Sequence, residues 1–248
     1  MSTPAVPPVE SAGLSEPERI IDTFIAPSKT FVDIRRNASW WAPWVLLSIF
    51  SILFTFAISS KIGWEQVVQN EIAKNPKAME RIDKMPPEQR DNMMRMQANI
   101  SKGIGYGIPI VLLVIIVVVA AVLMATFNFG MGARVGFGQS MAIVTYSYLP
   151  SIISTVLAVI TIYAGADPEG FNIKNPVATN PAYFLSPTGN QSVYGLVSMF
   201  DVIAIWMIVL MGIGFAANSK VKRGTAIAVV AGWFVVIKLI GAGFAAIF

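Results

Sequence analysis

The chain has 248 residues, 55% hydrophobic and 13% charged, with a net charge of +4. Soluble domains carry about 25% charged residues, so this composition belongs to a polytopic membrane protein and not to a soluble enzyme or a nucleic-acid binder, whose basic residues would form a dense stripe. With no Cys and no His, disulfides, thiol and Ser–His catalysis and imidazole metal ligation are all excluded.

In chain order, 1–14 is rich in Pro, Ser and Ala and reads as a disordered tail. Ser15 and Glu18 form a capping box, with Pro17 in the first turn of a helix. Ile20, Ile21, Phe24 and Ile25 follow at helical spacing, and Phe31 and Ile34 share one side of a second short segment. Over 15–39 these pieces read as amphipathic. They either lie on the membrane surface or pack as a small cytoplasmic unit on the rest of the chain.

Trp40, Trp41 and Trp44 cluster at the start of an apolar run, as interfacial anchors do. The first span is expected over about 41–60. The segment 61–102 is polar, with eight basic and six acidic residues. Pro76 and the Pro86–Pro87 pair divide it into helices at 63–74, 76–84 and 87–101.

Two long apolar runs follow, about 104–129 and 140–164, separated by a Gly-rich turn that holds Arg134. The first of them shows no polar face at the 3.6-residue period, and each exceeds the roughly 20 residues needed to cross a bilayer. Pro150, inside the second of them, is a candidate kink. The glycines at 130, 132, 136 and 138 suit a tight reversal. They lack the strand and the Lys–Ser/Thr pair that a phosphate loop requires.

A Pro- and Asn-rich loop covers 167–191, and spans four and five are expected over about 193–217 and 225–248. The fold class is therefore all-α, a polytopic integral membrane protein with five transmembrane helices and a short helical segment outside the membrane after the first. Asp201 and Lys238 fall inside the last two spans at similar depth. They form a candidate intramembrane ion pair, or each reaches the interface alone, or they mark a proton or ion pathway. Ala228 and Gly232 allow close helix approach, either within the monomer or between copies in a homo-oligomer. Under the positive-inside rule, the basic residues at 35–36, 134 and 220–223 place the N-terminus in the cytoplasm and the C-terminus outside.

The stretch TFIAPSKTFVDI followed by SWWAPW, the five spans, and GFGQSMAIVTYSYLP with its Gln, aromatics and Pro together resemble the Yip family. These are small membrane proteins known as partners of Rab-type GTPases. The Asp-Leu-Tyr-Gly-Pro motif of eukaryotic members is missing, so the likeness is to a bacterial-type member of the inner membrane. The resemblance implies a cytoplasmic N-terminus, an outward C-terminus and no enzymatic activity, and no cofactor or metal is expected. It points to a non-catalytic protein that scaffolds or recruits a still unknown protein partner and shapes the bilayer. The alternative from the residues is a small transporter or channel using Pro150, Asp201 and Lys238.

Overall fold

A computed structural model describes residues 13–247 except 187, 188 and 190, with side chains placed through 241 apart from 191 and 192. The expected tail thus lies, save its last two residues, outside the described residues. All regular structure among the described residues is helical. Two short helices, α1 (Glu16–Ile25) and α2 (Pro27–Asp33), form a hairpin. The Ser15–Glu18 capping box closes the first turn of α1, satisfying N–H groups that would otherwise have no partner.

Helix α3 (Trp41–Ala57) runs on through a π-helical turn, Ile58–Ile62, and stops at Gly63, whose φ of 86° only glycine adopts without strain. Outside the apolar region come α4 (Trp64–Ala73) and α5 (Pro76–Asp83). The next helix, α6 (Pro87–Met131), is continuous for 45 residues. The sequence suggests a separate polar helix before the second span. No residue at 101–104 breaks the backbone, however, so the polar piece and the span fuse.

At the far end of α6, Gly132 takes a left-handed φ of 64°. Asn128 then clamps the turn, accepting from Val135 N–H and donating to its carbonyl, both at 2.9 Å. The third apolar run is split into α7 (Phe137–Ser147) and α8 (Ser151–Tyr163). Three-residue hydrogen bonds carry the chain across Tyr148–Pro150, because Pro150 offers no N–H to continue an α ladder.

The fourth expected span is corrected by the structure. A helix of about two turns, α9 (Gln191–Val197), ends before Asp201, and α10 (Val202–Ala217) starts afresh. At 16 residues α10 covers about 24 Å, short of the roughly 30 Å hydrocarbon thickness. The last helix, α11 (Arg223–Ile247), runs back alongside it. Among the described residues, four helical stretches are long and apolar enough to cross a membrane: 41–62, α6, 137–163 and 223–241. α10 supplies a shorter apolar pass.

The core lies where α6, α7, α10 and α11 meet: Ile116, Phe127, Ile143, Tyr146, Leu210 and Phe215 are fully buried, and the Phe127 and Phe215 rings stack at 4.4 Å. Close approach of α10 demands glycine. A Cβ on Gly212 would stand 2.6 Å from Ile227 Cα, and one on Gly214 would meet Phe31 at 3.0 Å. Ala228 and Gly232 face outward on α11, so they do not serve packing within the monomer. Several hydroxyls along the spans fold back on their own helices, as Ser48 does to Trp44 and Thr145 to Met141, which satisfies them in an apolar setting.

Candidate functional site

Asp201 caps α10. One carboxylate oxygen accepts from Ala204 N–H at 2.9 Å, and the other from Thr179 Oγ1 at 2.5 Å and Asn180 Nδ2 at 3.3 Å. This ties the start of α10 to the Pro- and Asn-rich loop, where Val202 N–H also bonds Thr179 O. Lys238 is level with it: Asp201 lies eleven residues before Gly212, and Lys238 eleven after Ile227, which Gly212 touches. The two do not meet. Among the described residues no ion pair joins them; the Lys238 ammonium sits 5.5 Å from the Phe234 ring centroid on an exposed face. The candidate pair is unmade because three donors already satisfy the carboxylate.

Pro150 lies at the α7–α8 break. Of the three tryptophans, only Trp41 faces outward, at 58% exposure. Trp40 and Trp44 pack edge-to-face on each other and against the core, and the Trp44 indole donates to Pro109 O at 3.1 Å. They turn inward because α6 supplies a carbonyl acceptor and apolar contact there, so the anchoring face narrows to Trp41.

The most elaborate polar site is one that the sequence reading passed over. Arg19 on α1 is 1% exposed. Its Nε donates to Asp33 Oδ2 at 2.7 Å, and a second guanidinium nitrogen reaches the same oxygen at 2.5 Å. Glu16 approaches at 3.5 Å, and the Tyr146 hydroxyl donates to the other Glu16 oxygen at 2.6 Å. The hydroxyls of Thr23 and Thr30 both donate to Arg19 O. Burial alone would lower the Arg19 pKa, but the hydrogen bond and charge of Asp33 outweigh it and the net shift is upward. Arg19 therefore stays cationic and locks α1, α2 and α7 together. The signal was present in the sequence: Glu16, Arg19 and Thr23 recur at helical spacing on one face of α1, beside the apolar residues.

Further bonds fix the hairpin. Phe31 and Ile34 are fully buried, Phe24 meets Trp206 edge-to-face at 5.7 Å, Asn218 donates to Phe31 O at 2.8 Å, and Arg223 donates to Ser28 Oγ at 3.1 Å. One face of the hairpin packs on the bundle, while Ile21 and Ile25, at 57% and 74% exposure, and Val32 look outward.

A second charged group lies at the opposite end. Glu71 on α4 pairs with Lys74 and with Lys174 of the loop, the latter at 2.8 Å. Burial raises the Glu71 pKa, but hydrogen bonds from the two lysines lower it further, for a net shift downward. Among the described residues, no cluster of three or more Asp or Glu is arranged to hold a metal.

No curated protein and no solved structure matches the chain. A family model described as the Yip1 domain matches residues 21–245, from the middle of α1 nearly to the end of α11. The match takes in most of the hairpin as well as the apolar helices, and on that ground this all-helical membrane protein belongs to the Yip1 domain family.

Proposed function

We propose that the protein is a non-catalytic scaffold of the Yip type, recruiting a protein partner at the membrane surface through its α1–α2 hairpin. One observation carries this reading: the hairpin is fastened to the membrane domain by a buried ionic hub, yet it keeps Ile21, Ile25 and Val32 exposed. A rigidly held apolar edge is a docking feature, since an unused one would be a liability in water. The same edge can rest in the interfacial layer and shape the bilayer.

The likeness to bacterial-type members suggests an inner-membrane location in a bacterium, and the basic residues suggest a hairpin in the cytoplasm and a C-terminus outside. The supporting geometry is that the basic turn after α10 lies against α2, and Gly138, just past Arg134, approaches Ala38. The basic residues that vote under the positive-inside rule therefore gather at one end. A homo-oligomer through the outward Ala228 and Gly232 face of α11 is compatible with this arrangement.

A photo-crosslinking residue placed at Ile25 in native membranes tests the scaffold. A discrete protein adduct, absent when the crosslinker replaces lipid-facing Ile49, is the expected result. Adducts to lipid alone would move the role to bilayer shaping. Ion or solute flux in liposomes that disappears in Asp201→Asn would replace the scaffold with a transporter.

A further inference from the structure

A cavity of about 990 Å³ opens between α4, the start of α5, α6 and the loop at 172–174, at the end of the molecule away from the hairpin. That is the upper limit of ordinary ligand sites, roughly 300–1,000 Å³. Its α6 wall is a single helical face, Gln97, Ser101, Ile104 and Ile108, and the last charge on α6, Lys102, falls between the polar and the apolar pair. The cavity therefore straddles the boundary between water and hydrocarbon. Trp64 and Val67 line its apolar side, and Lys74, Lys77 and Lys174 stand around its polar side. Against these three ammonium groups there is one carboxylate, Glu71, which holds Lys74 and Lys174 in place and leaves a net positive mouth.

We propose that this cavity binds an anionic glycerophospholipid from the leaflet opposite the α1–α2 hairpin. Its phosphate sits among Lys74, Lys77 and Lys174, and one acyl chain lies along Ile104 and Ile108. Charge selects the class: three ammonium groups offer many donors to phosphate oxygens, and a zwitterionic headgroup would bring its own cation against them. Amphipathic shape selects a lipid over a soluble phosphate, because half of the wall is apolar and opens at the depth where acyl chains begin. The site is separate from the hairpin, so it stands or falls apart from the scaffold reading.

The test uses the full chain in nanodiscs holding phosphatidylglycerol or phosphatidylcholine with a diazirine in one acyl chain. Peptide mapping after photolysis reads adducts at 64–72 and 104–108, normalised to adducts on the exposed 235–240 face of α11. Phosphatidylglycerol should label the cavity in preference to phosphatidylcholine. Lys77→Gln and Lys174→Gln, both at exposed positions, should each reduce that preference by about fivefold. Glu71→Gln should increase it, and an excess of glycerol phosphate should leave it unchanged. Equal labelling by the two lipids, indifference to the lysine variants, or competition by glycerol phosphate would overturn the proposal. The α11 signal reports whether each variant is still folded in the bilayer.

Discussion

Arg19 and Asp201 show how one charged side chain can be placed so that its role follows from its partners. At Arg19 the charge is out of water, and its counter-charge Asp33 is only 12% exposed. Removing one partner of such a pair strands the other, at a cost of about 3–5 kcal/mol. Asp33→Asn should therefore lower the thermal midpoint in mild detergent markedly and expose the hairpin to protease. Arg35→Gln, at an exposed neighbour, should do neither. Asp201 lies in a stretch that reads as intramembrane, yet its chemistry is that of a helix cap. Losing a cap costs about 1 kcal/mol. Asp201→Asn, which keeps an accepting oxygen, should cost less than Asp201→Ala. A double-mutant cycle with Lys238→Met should return no coupling, as read by thermal unfolding; a coupling well above experimental error would restore the ion pair.

The helices are legible in the sequence wherever the signal is local. The capping box at Ser15, Pro76 and Pro87 at their first turns, and the apolar runs beyond Lys102 each act within a few residues, and the chain obeys them. Asp201 was legible too, as an N-cap before an apolar run, but at that depth charge invites a different reading. Illegible were the contacts that depend on distant partners. Trp44 turns inward toward a carbonyl 65 residues away, and Arg19 is buried by a residue 14 positions on and a helix more than 120 positions on. Apolar periodicity says which face is turned in, not which polar group waits there. Packing between α10 and α11 gives a test at this scale. Gly212→Ala drives a methyl into Ile227 backbone, which cannot yield without parting the helices, and should cost about 1–3 kcal/mol. Gly232→Ala meets nothing within 4 Å and should be neutral or mildly stabilising through helix propensity. Denaturation in detergent, followed by tryptophan fluorescence, ranks the two.

At the scale of the whole molecule, the hairpin with the basic turns and the α4–α5 cap with the loop occupy opposite ends of the bundle. The absence of cysteine makes accessibility mapping simple, because any introduced thiol is unique. A membrane-impermeant maleimide applied to intact cells should label Gln89→Cys and spare Ser219→Cys; the reverse pattern would invert the proposed orientation. One element joins these two ends without interruption. α6 stays helical through Pro109 for its full 45 residues, about 68 Å, more than twice the hydrocarbon thickness. It passes both water boundaries without a break in its helical structure. Whatever tilts it at the cap, whether a seated headgroup or a change in bilayer thickness, must swing its Gly132 end through a matching arc beside the fastened hairpin.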